Sequence, residues 1–160
     1  MFAKAFAKAA SIALAAGLAA GIVVAQDRGG PYDAAITARQ SHMRLYAHNL
    51  GILGAMAKGV LPYDADLARS AASNLAALAS LDQRTYWPQG SDSFSFDYTR
   101  ALPKLWDNIP DAIRKGQDLA AATAAFAKTA GDGLEAVQAG LGKVGGACKA
   151  CHKEYRKPQN

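Results

Sequence analysis

Apolar residues recur at helical spacing along the first part of the chain, from Pro31 to about Lys58. The apolar positions of this segment are Ile36, Met43, Tyr46, Leu50, Leu53, Met56 and Ala57. A period of three to four residues predicts an amphipathic helix and not a half-buried strand. Pro31 suits the first turn of this helix, and Gly59 followed by Pro62 suits its end.

A second helix is predicted to begin after Asp64, whose side chain makes a favourable N-cap, and to end near Asp82. Its expected buried stripe consists of Leu67, Ala71, Leu75, Leu78 and Leu81. The segment 83–98 contains proline, glycine and several serines, which predict a long loop. Three aromatic side chains are expected to pin this loop to the helices, namely Trp87, Phe94 and Phe96.

Two more long helices complete the pattern, after a short helical turn around Trp106. The third is predicted from about Pro110 to Ala130, and its expected inner side carries Ile113, Leu119, Thr123 and Phe126. The fourth follows a turn in which Asp132 and Glu135 resemble a capping box, and it ends before Pro158. Four long helices predict an all-α, up-down four-helix bundle.

The last predicted helix contains the most specific motif of the chain, the sequence C-x-x-C-H formed by Cys148, Cys151 and His152. This spacing is typical of covalent attachment of a c-type haem. At about 100° per residue, Cys151 lies at about −60° and His152 at about +40° from Cys148, so all three share one helix face. Two thiols can then bond the porphyrin vinyl groups while the imidazole reaches the iron. We expect one haem c per chain.

Three other chemistries are compatible with a C-x-x-C pair. A thioredoxin-like redox pair needs alternating strands and helices around it, and a zinc site needs further ligands at metal spacing. A disulfide across two intervening residues would close a very small loop and stabilise little. His42 and His48 are poor zinc candidates, and both are expected at the protein surface.

Four glycines in the last helix carry a cost that needs an explanation: Gly140, Gly142, Gly145 and Gly146. Each glycine disfavours a helix interior by about 1 kcal/mol relative to alanine. We expect either a neighbouring helix or a flat macrocycle to approach the backbone closely at these positions.

The N-terminal residues 1–25 have the features of a secretory signal peptide. Lys4 and Lys8 precede a short Ala-rich apolar run that ends in small residues at Ala25. A retained membrane anchor is the alternative, but the shortness of the run favours cleavage and a mature domain 26–160 without a membrane span. Export agrees with the motif, because bacteria attach c-type haem outside the cytoplasm, and we expect a periplasmic protein.

The charge of the chain excludes one class of partner. Loss of the leader removes two lysines and no acids, so the formal net charge falls from +5 to +3. No basic run with interleaved aromatics is present, and nucleic acid is not an expected partner. Basic residues flank the haem motif, namely Lys149, Lys153, Arg156 and Lys157. They form either a solvated helix face or a rim that steers an acidic redox partner.

Taken together, these features resemble the cytochrome c′ family, the class II c-type cytochromes. The stretches that carry the resemblance are 39–44 (RQSHMR), 57–64 (AKGVLPYD) and 144–156 (VGGACKACHKEYR). The resemblance implies a four-helix bundle with covalently bound haem c, in which His152 is the proximal iron ligand. It also implies a homodimer in many members.

The resemblance further assigns roles around the haem. Arg39 and Gln40 would lie beside the haem, with Arg39 near a propionate, and Arg156 would lie near the proximal imidazole. Without the resemblance, Arg39 would be interpreted as a surface arginine that covers apolar area with its stem. Met43 would face the distal side of the iron. Low-spin members have a ligating methionine there, and high-spin members leave the iron five-coordinate.

Met43 therefore separates two functions. If Met43 ligates iron, the protein is a His/Met monohaem electron carrier that serves redox partner proteins, which is the main expectation. If it does not, the alternative is a five-coordinate cytochrome c′ that binds nitric oxide or carbon monoxide. Met43 filling core space is a third interpretation. No acid–base pair occurs at distal spacing, so an enzyme is not expected.

Overall fold

The computed structural model describes residues 29–159, and the signal peptide predicted over 1–25 lies outside them. The helices of this part of the chain are α1 (Asp33–Ala57), α2 (Ala65–Ser80), α3 (Lys104–Asp107), α4 (Ile109–Thr129) and α5 (Leu134–Tyr155). Within residues 29–159 the only β-type pairing is an isolated bridge between Ala101 and Arg156. The prediction of an all-α protein is confirmed.

The four long helices pack as a closed ring. Helix α1 packs against α2 and α5, and α4 packs against the same two helices from the other side. Because neighbours along the chain are also neighbours in space, the architecture is the up-down four-helix bundle predicted from the sequence. The bundle core is a continuous apolar cluster whose fully buried members include Leu53, Met56, Ala72, Leu75, Val137 and Val144.

The two predicted N-caps have different outcomes. Asp64 caps α2 as expected, since its Oδ1 accepts the backbone N–H groups of Asp66 at 2.9 Å and Leu67 at 2.8 Å. The capping box predicted at Asp132 and Glu135 is wrong, because Gly133 occupies the N-cap position of α5 and no side chain caps it. The φ of Gly133 is 129°, a value that glycine tolerates and other residues rarely adopt.

The buried faces of α2 and α4 differ in part from the predicted ones. On α2, small residues make the core face, namely Ala68, Ala71 and Ala72, together with Leu75. The predicted members Leu67 and Leu81 are 39% and 50% exposed, so the buried stripe is narrower than predicted and consists mainly of alanines. On α4, Ile113 is 56% exposed, so its prediction as an inner residue is wrong.

The segment between α2 and α3 is the predicted long loop, with one 3-10 turn at Arg84–Tyr86. Two of the three aromatic anchors are in place. The ring of Phe96 meets Tyr32 edge-on at 5.9 Å, and the Arg39 guanidinium lies 5.0 Å from the centre of the Trp87 ring. Phe94 is 83% exposed and does not anchor the loop.

None of the helices within the described part of the chain is long and apolar enough to cross a membrane.

Candidate haem site

The C-x-x-C-H motif lies near the C-terminal end of α5, and Cys148, Cys151 and His152 are each half-buried there. Both cysteines are free thiols in the structure, so the disulfide alternative is not supported. Burial raises the pKa of both thiols, and Lys115 partly opposes this effect at Cys151. A reactive redox pair needs a lowered thiol pKa. The all-helical surroundings and these raised pKa values both argue against a thioredoxin-like site.

A cleft of about 750 Å³ opens along this end of α5. Cys148 and His152 line it, and Gly145 contributes backbone without a side chain. Its charged lining residues are all basic, namely Arg100, Lys149, Lys153 and Arg156. The volume falls within the range of about 300–1,000 Å³ that is usual for cofactor sites. The cleft therefore combines the covalent anchor, the imidazole and a positively charged rim.

His152 is held in the form that binds a metal. Burial is the main cause that lowers its pKa, and the positive charges of Arg156 and Arg100 lower it further. A neutral imidazole keeps a nitrogen lone pair free for iron. Of the residues that the structure describes, no three His, Cys, Asp or Glu side chains cluster as a metal site, and the zinc alternative is unsupported.

Helix α1 packs against α5, and its register on that helix can be read from contacts at two points. At one end, the guanidinium of Arg39 binds Thr99, two residues from the Ala101–Arg156 bridge. At the other end, Gln138 Nε2 of α5 donates to the Ala57 carbonyl of α1 at 3.1 Å. On α1, Met43 lies between Arg39 and Ala57.

His152 occupies the corresponding place on α5, because Met43 and His152 each lie 14 residues from the contact between Ala57 and Gln138. The two helices thus run past one another so that Met43 and His152 fall at the same level. Met43 is 36% exposed, so the interpretation that it fills the core is wrong.

Arg39 is buried, with 3% of its surface exposed, which contradicts its interpretation as a surface arginine. Its Nη1 donates to the Tyr86 carbonyl at 3.1 Å and to Ser91 Oγ at 2.7 Å. Its Nη2 donates to the Ser91 carbonyl at 2.5 Å and to Thr99 Oγ1 at 2.8 Å. Burial lowers its pKa to about 10, against the opposing effects of Asp92 and Tyr98. Arg39 thus ties the long loop to α1, a role that its sequence position did not reveal, and its contact with a propionate stays a prediction.

The other two predicted site residues lie on different helices, Gln40 on α1 and Arg156 at the end of α5. Gln40 is half-buried, and its Nε2 donates to the Tyr98 carbonyl at 2.6 Å. Arg156 is exposed at the C-cap of α5, where its side chain lines the cleft. Their roles toward a haem remain predictions.

The two histidines of α1 differ in their exposure to solvent. His48 is exposed as expected, whereas His42 is 4% exposed, so its prediction as a surface residue is wrong. About 100° of helix rotation separates His42 from Met43, and this turns His42 toward the loop and α2. There its ring lies 5.8 Å from the Tyr86 ring, and burial lowers its pKa against an opposing effect of the Leu78 backbone.

Two site residues had no clear signal in the sequence. Arg100 joins the cleft because the bridge between Ala101 and Arg156 brings the loop end to α5. Tyr46 was assigned only to the apolar stripe of α1, yet its buried hydroxyl has no hydrogen-bond partner. Its spacing of three residues from Met43 was the one available signal.

The residues present fit a covalently bound haem. Two thiols and a neutral imidazole share one face of α5, a cleft of suitable size runs beside them, and a buried hydroxyl of the neighbouring helix α1 lacks a partner. These are the donor set and the space that a c-type haem requires.

Comparison with known proteins shows which family the chain matches. Residues 34–156 match the family model described as Cytochrome C′. A relative from Cereibacter sphaeroides, cytochrome c-554, is 40% identical over 122 residues, which cover 76% of this chain and 80% of the relative.

Solved structures of cytochromes c′ also superpose on the chain. The cytochrome c′ from Rhodobacter sphaeroides superposes with a TM-score of 0.78 at 34% identity, covering 81% of this chain and all of that one. The nitric oxide complex of the L16A variant of cytochrome c prime from Alcaligenes xylosoxidans superposes with a TM-score of 0.69 at 29% identity, covering 79% of this chain and 96% of that one.

Proposed function

The chain belongs to the cytochrome c′ family, and on that premise we propose that it is a haem protein whose distal face binds a diatomic gas such as nitric oxide or carbon monoxide. Members of this family hold one covalently attached haem c per chain, and so does this chain. The observation that carries the proposal is the likeness to a cytochrome c prime solved as its nitric oxide complex.

The residues of α5 anchor the cofactor in this proposal. Cys148 and Cys151 form the two thioethers, and His152 is the proximal iron ligand. When bound, the haem supplies a redox-active iron that can take up a small gas. Arg156, exposed one turn after His152, lies near the proximal imidazole, and the neutral state of His152 keeps its nitrogen available for the metal.

The residues of α1 and the long loop form the distal wall. Arg39 and Gln40 hold the loop against α1 through their hydrogen bonds to Ser91 and Tyr98. In the proposal this fixed wall also meets the haem edge. Met43 is the side chain at the level of His152, and its movement decides whether a gas can reach the iron.

A second function, that of an electron carrier with a His/Met-ligated haem, is favoured by one specific observation. Met43 lies at the level of His152 and is not packed into the apolar core, so its sulfur is available to the distal side. A thioether ligand raises the haem potential and suits electron transfer. In that case the iron cycles between ferric and ferrous states without turning over a substrate.

The same proposal includes the location of the protein in the cell, its partners and its oligomeric state. The protein is exported to the periplasm, acts without being an enzyme, and exchanges electrons with an acidic partner through the basic rim of the cleft. Arg100, Lys149, Lys153 and Arg156 supply that rim, and the ion pairs found among the described residues involve none of them. A homodimer is a further expectation.

The visible spectrum of the ferric protein, recorded before and after Met43→Ala, tests both functions. A gas-binding protein gives a high-spin spectrum that shifts on adding nitric oxide, and Met43→Ala leaves its spin state unchanged. An electron carrier shows a far-red sulfur-to-iron band that Met43→Ala abolishes. Leu45→Ala is a matched control, since Leu45 is an exposed residue of the same helix. A mature protein without covalent haem would contradict both.

A further inference from the structure

Among the described residues, three buried side-chain polar atoms have no hydrogen-bond partner, and two of them lie on adjoining turns of α1. These two are His42 Nε2 and the Tyr46 hydroxyl. Leaving a buried hydroxyl unpaired is costly, and native proteins rarely do so. Tyr46 is 5% exposed, so water does not reach it freely. We therefore expect its hydroxyl to find a hydrogen-bond acceptor when the haem is bound.

The position of Tyr46 indicates what that acceptor is. Tyr46 follows Met43 by three residues and so lies on the same side of α1, about one turn away. Cys148, the first cysteine of the haem motif, packs against the core cluster that contains Tyr46. The phenol thus lies in the core cluster against which Cys148 packs, on the side of α1 that carries Met43.

His42 does not satisfy the phenol. The two rings meet edge to face with centroids 4.8 Å apart, and no hydrogen bond joins them. On its other side, His42 faces the Leu78 backbone of α2, which opposes the lowering of the His42 pKa by burial. The imidazole therefore holds the phenol ring in place and leaves its hydroxyl free to point elsewhere.

We propose that the Tyr46 hydroxyl is the hydrogen-bond donor of the distal haem face, acting on whichever group takes the position opposite His152. The acceptor is a lone pair, either on the sulfur of Met43 or on a bound diatomic gas. Tyr46 is then a positioning residue for the sixth ligand. This inference rests on the proposed function, because it requires the haem.

The protonation state of Tyr46 suits a donor. Burial raises the pKa of Tyr46 to about 12. The phenol therefore keeps its proton throughout the physiological range and can donate to a weakly basic acceptor. A hydrogen bond to the far atom of a bound gas withdraws electron density into the ligand and slows its release.

The test uses holoprotein in which Met43→Ala has opened the distal face, so that it does not depend on whether Met43 ligates iron. The infrared C–O stretch and the dissociation rate of carbon monoxide are compared between Met43→Ala and Met43→Ala/Tyr46→Phe. We expect the stretch to rise and dissociation to become about two- to tenfold faster without the hydroxyl, as the loss of one hydrogen bond predicts. Identical values in the two proteins would overturn the proposal.

A matched control removes a different hydroxyl. Tyr63 binds Gly133 N and the Ala130 carbonyl at the far end of the bundle, so Met43→Ala/Tyr63→Phe should keep the parent C–O stretch. A similar shift in this control would also count against Tyr46. If the double variant loses haem, the C–O stretch of Met43→Ala is measured in ordinary and in heavy water instead. The stretch must differ between the two solvents if an exchangeable proton is hydrogen-bonded to the gas.

The protein that retains Met43 tests the second possible acceptor, the sulfur of Met43. If Met43 ligates iron, Tyr46→Phe alone should weaken or move the far-red sulfur-to-iron band, and an unaltered band would exclude the Met43 sulfur as the acceptor. Failure of the proposed function has a different signature, since a protein that binds neither gas nor Met43 at its iron would show no response even before Tyr46 is changed.

Discussion

The two halves of α5 are stabilised in different ways. In the first half, Val137, Gly140 and Val144 are buried against the bundle, and a Cβ at Gly140 would overlap the ring of Phe126. In the second half, Gly145 and Gly146 have no protein atom within 4 Å of the position that a Cβ would take. The first half is fixed by apolar close packing. The second half leaves one face of the helix to the cleft.

Polar contacts replace apolar packing around that second half. Tyr155 donates to Asp111 Oδ2 at 2.5 Å, and Lys104 pairs with Glu154 at 2.7 Å. The backbone N–H of Leu102 donates to the Tyr155 carbonyl at 2.9 Å, beside the Ala101–Arg156 bridge. Flanking segments thus hold the haem-bearing end from the side, which keeps its front face accessible to a large planar group.

The largest expected effect tests the packed half. Gly140→Ala forces a methyl group into the buried ring of Phe126, and overpacking of this kind costs about 1–3 kcal/mol, against a gain in helix propensity of about 1 kcal/mol. We expect a net loss of stability, visible as a lower thermal midpoint, while the haem spectrum is unchanged. Gly142→Ala is the control, because no protein atom lies within 4 Å there, and it should be neutral or stabilising.

A smaller effect tests the open half through its charge. In Lys149→Glu/Lys153→Glu, two positive charges of the cleft rim become negative, and reduction of the ferric protein by an anionic reductant should slow by about three- to tenfold at low salt. The difference should shrink as ionic strength rises. Lys58→Glu/Lys128→Glu makes the same charge change on exposed residues near the other end of the bundle. Equal slowing in both proteins would show that net charge, and not the rim, sets the rate.

The smallest effect concerns the polar contacts at the end of α5. The hydrogen bond from Tyr155 is the main cause that lowers the pKa of Asp111, and Lys115 and Arg114 add to it. A carboxyl with a lowered pKa stabilises the fold above its ordinary pKa of about 3.9 and loses this contribution as the pH falls below it.

Asp111→Asn should therefore flatten the fall in thermal midpoint below about pH 4, relative to the parent protein. Asp118→Asn removes an exposed carboxylate of the same helix and should leave the Tyr155 contact intact. A steeper acid transition in Asp111→Asn than in the parent would contradict the assignment.

Much of the bundle could be predicted because it depends on local patterns. The spacing of apolar residues located α1 within one or two residues, and Asp64 marked the start of α2. The capping box at Asp132 failed because the left-handed φ of the next residue, Gly133, sets the helix start. The glycines of α5 were rightly interpreted as sites of close approach in one case, Gly140, which faces Phe126.

The candidate site was only partly accessible from the sequence. The C-x-x-C-H motif placed two thiols and an imidazole on one helix face, since that face depends only on the helical repeat. The burial of His42 and the exposure of Phe94 escaped prediction, because both depend on where the long loop lies against α1. The burial of Arg39 has the same origin, as its four hydrogen bonds go to loop residues.

The amino-acid sequence by itself determined the helical class, the haem motif and the family, because periodicity and short-range spacing are properties of neighbouring residues. Only the tertiary structure decided that Met43 lies at the level of His152, that Arg39 binds the loop, and that Tyr46 carries an unpaired hydroxyl in the cluster against which Cys148 packs. Each of these depends on the register between α1 and segments about 50 to 100 residues away. Contacts at such separations are set by how the helices pack, which no local pattern encodes.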